Sequence, residues 1–193
     1  MKEHPILFNS EMVRAILDGR KTQTRRVIKP QPVYCDKNIC NETPFFVWAE
    51  KKKLGGTASW IGDVVTKAMV SFCPFGRVGD RLWVRETWRQ PEDFEGYDRG
   101  TVLYAASEMD AGAKWKPSIH MPRYASRITL EITDIRVERL QKINEDYCKS
   151  EGLKVLQGGI KSEFATLWNS INKKHTWESN PYVWVIEFRR VEK

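Results

Sequence analysis

Hydrophobic residues near the start of the chain recur every three or four positions, the spacing of one face of an α-helix. This face consists of Met12, Val13, Ile16 and Leu17. Asn9 or Ser10 can cap the helix by accepting a hydrogen bond from a free N–H of its first turn. Gly19 follows as a left-handed C-terminal residue, because glycine has no Cβ to clash in that conformation. The pattern predicts a short amphipathic helix that ends just before residues 21–26.

Two further helices are predicted in the C-terminal third of the chain. Asn144 can cap the first, and Glu145 and Asp146 match the positive end of its dipole. This helix should end near Glu151 and Gly152. The second shows apolar residues at i, i+3, i+4 and i+7, namely Phe164, Leu167, Trp168 and Ile171. We interpret this stripe as facing the core, with no ligand required to explain it.

Alternating or continuous apolar runs predict strands at residues 81–88, 126–138 and 182–188. The clearest alternation places Ile128, Leu130 and Ile132 between polar residues. Because strands and helices never follow a regular βαβ order, the pattern favours an α+β fold. We expect a small mixed or mostly antiparallel β-barrel with helices at its margin.

The 193 residues indicate a single domain. Residues 31–76, rich in aromatics and lysine, have no clear periodicity and are interpreted as an irregular insertion into a smaller core. Residues 89–122 form a second, polar region that is interpreted as a long loop.

The charge balance favours an anionic partner. Lys and Arg outnumber Asp and Glu by 32 to 25, which gives a formal net charge of +7. The chain has no run of about 20 apolar residues that would span a bilayer, and its N-terminus lacks an apolar signal region. These features predict a cytoplasmic protein that does not contact the membrane.

Four cysteines are present, at Cys35, Cys40, Cys73 and Cys148, and none of them forms a CxxC pair. Free thiols are the default in a reducing compartment. The sequence therefore predicts no metal site and no cofactor.

The most informative segment follows the first helix, where residues 19–26 contain one lysine, two threonines and three arginines. The same residues could bind phosphate, activate a nucleophile or form a solvated basic loop. A rigid helix directly before the segment would hold its side chains in place, which favours a chemical role.

The pattern Gly19-x-Lys21-x-x-Thr24-x-Arg26 resembles the signature of the ASCH domain, a family of the PUA-like β-barrel superfamily. Further similarity lies in residues 79–86, 140–151 and 183–188, and the arrangement resembles ASCH proteins of phages and prophages. The family usually has a carboxylate at the position of Thr24. A subset of small bacterial members that hydrolyse N4-acetylcytidine has threonine there.

This resemblance implies a metal-independent amidohydrolase that removes an acyl group from the exocyclic amine of a cytidine-like nucleoside. It implies Lys21, Thr24 and Glu151 as catalytic residues. A threonine hydroxyl needs a base to become a nucleophile. Lys21 can be that base if burial and neighbouring arginines lower its pKa, an effect that Glu151 opposes. Glu151 would then shuttle a proton or orient Lys21, and Arg26 would stabilise negative charge on the attacked carbonyl.

Four other residues are predicted to bind the substrate. Trp115 can stack on a base, Arg123 can contact a phosphate or base edge, and His120 can titrate near neutral pH. Glu86 lies on an otherwise apolar strand face, where a carboxylate needs a partner.

The alternative function is an RNA-binding or nucleic-acid-binding ASCH module, with or without ribonuclease activity, in which the same basic residues contact phosphates. A third possibility is a phage accessory protein without turnover. Binding through backbone phosphates should weaken steeply with salt, whereas hydrolysis of a nucleoside should depend far less on it.

Overall fold

The computed structural model of the protein describes residues 1–35, 45–48, 58–60, 70–91, 98, 100–108, 112–154 and 159–191. Within these residues the chain forms a mixed α+β structure, which confirms the predicted fold class. The helices are α1 (Ser10–Leu17), α2 (Glu145–Ser150) and α3 (Ile160–Ile171). The strands are β1 (Glu3–Leu7), β2 (Gln23–Val27), β3 (Val33–Cys35), β4 (Phe45–Trp48), β5 (Ala58–Trp60), β6 (Arg81–Arg85), β7 (Trp88–Arg89), β8 (Leu103–Tyr104), β9 (Thr129–Arg139) and β10 (Tyr182–Val191).

The main sheet has five strands in the order β1-β6-β9-β10-β2. β1 and β6 run parallel, and every other pair of neighbours is antiparallel. β1 and β2 are the two edges, so the sheet is open and the predicted closed barrel is wrong. The guanidinium of Arg26 on β2 donates a hydrogen bond of 2.7 Å to the carbonyl of Leu7 on β1 and lies 5.2 Å from the ring centre of Phe8. The side chain of Arg26 therefore connects the two edge strands, whereas a closed barrel would have backbone hydrogen bonds between them.

β10 is buried on both faces. Successive side chains of a strand point to opposite faces of the sheet. On β10, Trp184 and Ile186 join the core cluster beneath α1, while Val183 and Val185 join the cluster beneath α2 and α3. The continuous apolar run at the end of the sequence thus reflects a strand that is covered by helices on one side and by the main core on the other.

The three predicted helices are confirmed in their positions, and α1 and α2 are also confirmed at their ends. The Asn9 side chain caps α1 by accepting a hydrogen bond of 2.8 Å from the Met12 N–H. Asn144 caps α2 in the same way through the Tyr147 N–H, also at 2.8 Å. Gly19 has φ = 72° directly after α1, as its predicted role requires.

Residues 31–76, predicted to be irregular, contain β3, β4 and β5 in a three-stranded antiparallel sheet. The triple lysine at residues 51–53 and Cys40 lie outside the described residues. Within the long loop region at residues 89–122, the described part includes β8, which pairs with β7, and a short 3₁₀ helix at Ser118–His120. None of the helices described here is long and apolar enough to cross a membrane.

Candidate functional site

The site is centred on a buried ion pair between Lys21 and Glu151. The ammonium of Lys21 donates hydrogen bonds of 2.8 Å to the side-chain Oε2 and to the backbone carbonyl of Glu151. The two residues also pair as an isolated antiparallel bridge. The side chain of Lys21 is 0% exposed and that of Glu151 is 6% exposed. A charge this deeply buried is tolerated because it is both paired and hydrogen-bonded.

The ends of α1 and α2 bring these residues together. After α1 the chain turns back, and the N–H groups of Arg20 and Lys21 both donate to the carbonyl of Ala15 at 2.9 Å. After α2, Glu151 is the C-terminal cap and Gly152 has φ = 92°. The Arg20 guanidinium donates a 2.7 Å hydrogen bond to the carbonyl of Gly152. A Cβ at Gly152 would lie 2.8 Å from Cβ of Ala15, so glycine permits the close approach of the two turns.

Arg25 is a second cation on the same carboxylate. One terminal nitrogen of its guanidinium lies 3.1 Å from Oε1 of Glu151. The other lies 3.4 Å from Oε2 of Glu138, whose second oxygen is 2.7 Å from Nε of Arg136. Glu151 therefore has a cationic donor on each carboxylate oxygen. The ion pairs of Glu151, Arg25, Glu138 and Arg136 form a network of alternating charges that includes residues of β2 and β9. This network fixes the orientation of the Glu151 carboxylate.

The environment of Lys21 lowers its pKa. Burial lowers the pKa of the Lys21 ammonium most strongly, since the surrounding protein solvates the charge poorly. Glu151 opposes this effect by its charge and hydrogen bond, and Arg26 and Arg25 add to the lowering. The net pKa of Lys21 lies below that of an ordinary lysine. A lysine with a lowered pKa can accept a proton, as the proposed base must.

Thr24 lines a small cavity together with Glu151. The cavity has a volume of about 60 Å³, and Arg25 and Arg26 also line it. Thr24 is 1% exposed. Among the residues that the structure describes, none forms a hydrogen bond with the Thr24 hydroxyl. Thr24 and Glu151 thus line the same cavity, and Glu151 is hydrogen-bonded to the ammonium of Lys21.

The apolar wall of this cavity is the stripe of α3. Its members Phe164, Leu167, Trp168 and Ile171 line the cavity. Phe164 and Trp168 are buried, as predicted for a core stripe, but Ile171 is 52% exposed. The stripe therefore packs against the core and also forms one wall of the cavity. Ile171 belongs to the same stripe as the buried Phe164 and Trp168 but is exposed. Because exposure cannot be read from the sequence, the periodicity contains no signal for the cavity wall.

The other predicted binding residues lie elsewhere. Glu86 is 1% exposed and forms a bidentate ion pair with Arg127, with both N···O distances at 2.9 Å. Arg123 pairs with Glu3 at 2.8 Å, His120 is exposed at the end of a 3₁₀ helix, and Trp115 lies 5.6 Å from the guanidinium of Arg89. None of these residues lines the cavity of Thr24. Of the eight predicted residues, the structure brings together Lys21, Thr24, Arg26 and Glu151.

No group of three or more potential metal-binding His, Cys, Asp or Glu side chains occurs in the described ranges. Cys73 and Cys148 are buried free thiols. Burial raises the pKa of each thiol to about 11, so neither has the thiolate character of a nucleophile or ligand.

In comparisons with known proteins, no family model, curated protein or solved structure matches the chain. Function is therefore inferred from the chemistry of the cavity. A threonine and a glutamate that line one cavity, with a lysine of lowered pKa bonded to the glutamate, are the residue types that nucleophilic catalysis by a hydroxyl requires.

Proposed function

We propose that the protein is an ASCH-like, PUA-like amidohydrolase that removes a small acyl group from the exocyclic amine of a cytidine-like base. The observation that supports this proposal is the shared cavity of Thr24 and Glu151, with Lys21 hydrogen-bonded to Glu151 at 2.8 Å. The reaction needs a nucleophile, a base and a group that returns the proton to the leaving amine, and these three residues can supply them.

In the proposed reaction the proton travels through Glu151, which lines the cavity and is hydrogen-bonded to Lys21. As the Thr24 hydroxyl attacks the acyl carbonyl carbon, its proton passes to the Glu151 carboxylate and from there to the neutral amine of Lys21. Lys21 becomes an ammonium, and Glu151 is again a carboxylate. Lys21 must be neutral before the attack, and burial, which lowers its pKa, increases the fraction of neutral amine.

The same pair completes the reaction in reverse. When the tetrahedral intermediate collapses, the C–N bond breaks, and the proton returns from Lys21 through Glu151 to the leaving amine. The acyl group is then an ester on Thr24, and water attacks it with the same proton route. The free acid leaves, and the Thr24 hydroxyl is restored. The guanidinium of Arg26, which lines the cavity and uses one N–H on the carbonyl of Leu7, stabilises the oxyanion.

The size of the cavity limits the acyl group. A volume of about 60 Å³ accommodates only a few atoms, since one water-sized probe occupies roughly 10–15 Å³. An acetyl group suits this space, whereas a long acyl chain does not. The rest of the nucleoside must lie outside the cavity, past Ile171.

The experiment incubates the purified protein with N4-acetylcytidine and separately with single-stranded RNA. Wild type is compared with Lys21→Met, Thr24→Val and Glu151→Gln, which keep the approximate shapes of the side chains. Lys149→Met is the matched control, because this lysine lies on α2 but is 56% exposed and, among the described residues, pairs with Asp146 alone.

We expect wild type and Lys149→Met to release cytidine and acetate. The variants at Lys21, Thr24 and Glu151 should each lose at least about 100-fold in kcat, as for removal of an acid–base group. Thermal unfolding of each variant shows whether the fold is retained. A folded wild type that cleaves or tightly binds RNA without releasing cytidine would reject the proposal in favour of an RNA-directed module.

A further inference from the structure

A second, larger cavity adjoins the cavity of Thr24. It has a volume of about 410 Å³ and shares Ile171 and Asn172 with the smaller one. Its remaining lining residues are all basic, namely Lys29, Lys173, Lys174 and His175. The two cavities therefore meet at the C-terminal end of α3, where the first is lined by Thr24 and the second is larger and basic.

The basic residues of the second cavity come from two distant parts of the chain. Lys29 follows β2, and Lys173, Lys174 and His175 follow α3. Cations just after a helix interact favourably with the negative end of its dipole. This effect alone would account for the lysines after α3. That effect does not account for Lys29, which the fold brings to the same cavity from about 140 positions away. Basic side chains from two separate segments therefore line one cavity, which favours the binding of an anion.

The basic side chains of this cavity have no ion-pair partner among the described residues. Within the described part of the chain, no carboxylate oxygen lies within 4.0 Å of a side-chain nitrogen of these four residues. In contrast, Arg25, Arg136 and Arg127 each contact at least one carboxylate. The second cavity thus holds cationic donors that remain available to a ligand.

We propose that the second cavity binds a phosphate group of the substrate, so that the enzyme acts on an N4-acylated cytidine nucleotide rather than on the free nucleoside. This inference rests on the proposed function, and it adds the substrate class. A phosphate carries up to two negative charges and several acceptor oxygens, which suit lysines that approach from separate directions.

The order of the cavities matches the order of groups in a nucleotide. The acyl amide enters the small cavity at Thr24, the pyrimidine passes the apolar side chain of Ile171, and the sugar and phosphate lie in the large cavity. Asn172, shared by both cavities, lies at the passage between them. A nucleoside would leave the basic part of this path empty.

The test is a binding titration that does not need turnover. Wild type is titrated with cytidine, with cytidine 5′-monophosphate and with a short oligocytidylate. The variant Lys29→Gln/Lys173→Gln/Lys174→Gln removes the three lysines of the second cavity. The matched control Lys2→Gln/Lys149→Gln/Lys161→Gln makes the same change in net charge at exposed lysines that do not line it.

We expect wild type and the control to bind the monophosphate about tenfold more tightly than cytidine, as a few charge-assisted contacts at a surface cavity would give. The variant Lys29→Gln/Lys173→Gln/Lys174→Gln should lose this preference and bind cytidine and its monophosphate with equal affinity. Equal affinity of wild type for cytidine and its monophosphate would overturn the inference, as would an equal loss in both triple variants.

The oligocytidylate distinguishes the two sources of the phosphate. Binding that is tighter than that of the monophosphate and falls steeply with salt assigns the site to an RNA chain, whereas equal binding assigns it to a mononucleotide. If the preference for phosphate is present but N4-acetylated ligands are not hydrolysed, the proposed reaction fails while the phosphate site stands.

Discussion

The ammonium of Lys21 lies 2.8 Å from a carboxylate oxygen of Glu151, a residue 130 positions further along the chain. Arg25 approaches the other oxygen of the same carboxylate at 3.1 Å. Glu151 is thus a single anion between two buried cations. The two partners are not equivalent. Loss of Glu151 leaves the buried Lys21 ammonium without a carboxylate, whereas loss of Lys21 leaves Glu151 paired with Arg25, which also contacts Glu138.

The first prediction concerns stability. Glu151→Gln should reduce the free energy of unfolding by about 3–5 kcal/mol, since breaking a buried pair leaves uncompensated charge. Lys21→Met should cost less, by at least about 1 kcal/mol, because the remaining carboxylate keeps Arg25 as its partner. Urea denaturation of both variants measures the difference.

The double variant Lys21→Met/Glu151→Gln completes the comparison. Its cost should be smaller than the sum of the two single costs, as expected for residues in direct contact. Additive costs, or a larger loss for Lys21→Met than for Glu151→Gln, would show that the carboxylate is not the shared partner of both cations.

Local patterns in the sequence predicted the helices well. The caps at Asn9 and Asn144 and the glycine at position 19 are signals of a few neighbouring residues, and the structure places each of them as expected. The closure of the sheet was predicted wrongly. Whether β1 pairs with β2 depends on which groups lie between two distant strands, here the side chains of Arg26 and Phe8, and no local pattern contains that information.

The candidate site was also only partly predictable. Lys21 and Thr24 stand out because they share a short basic segment, and Glu151 was added only through family resemblance. Arg25 was not singled out, although it lies in the same segment, because its contact with Glu151 depends on how α2 ends. The cavity wall on α3 and the basic residues at its end required the packing of α3 against β2, which periodicity alone does not give.

The second prediction concerns pH. Only the neutral amine of Lys21 can accept the proton from Thr24, so kcat/KM should fall as the pH drops through the lowered pKa of Lys21. The charge of Glu151 raises that pKa, and its removal lets burial lower the pKa further. Glu151→Gln should therefore shift the acidic limb of the residual activity to lower pH. A shift to higher pH would contradict the role of Lys21 as the base.

The third prediction concerns Gly152. Gly152→Ala places a Cβ 2.8 Å from Cβ of Ala15 and 3.1 Å from Cβ of Lys21. Gly79→Ala is the matched control, because Gly79 has a similar φ of 87° but no atom within 4 Å of the added Cβ.

Both substitutions place an alanine in a left-handed backbone conformation, which is strained. Only the alanine at position 152 must also displace its neighbours Ala15 and Lys21. Gly152→Ala should destabilise the protein by about 1–3 kcal/mol more than Gly79→Ala, as overpacking typically does. It should also reduce kcat, whereas Gly79→Ala should not. Chemical denaturation and rate measurements on both variants check this, and equal effects would mean that the turn tolerates the extra methyl group.

The last prediction separates Glu86 from the site. The carboxylate of Glu86 is 1% exposed, and both of its oxygens accept hydrogen bonds from Arg127. Arg127 in turn lies 4.0 Å from the ring centre of Tyr104. Glu86→Gln should therefore reduce the free energy of unfolding by about 1–3 kcal/mol, the usual cost of weakening a buried charged hydrogen bond. KM and kcat for N4-acetylcytidine should change less than twofold, because Glu86 does not line the cavity of Thr24. A clear rise in KM at unchanged stability would instead place Glu86 in contact with the substrate.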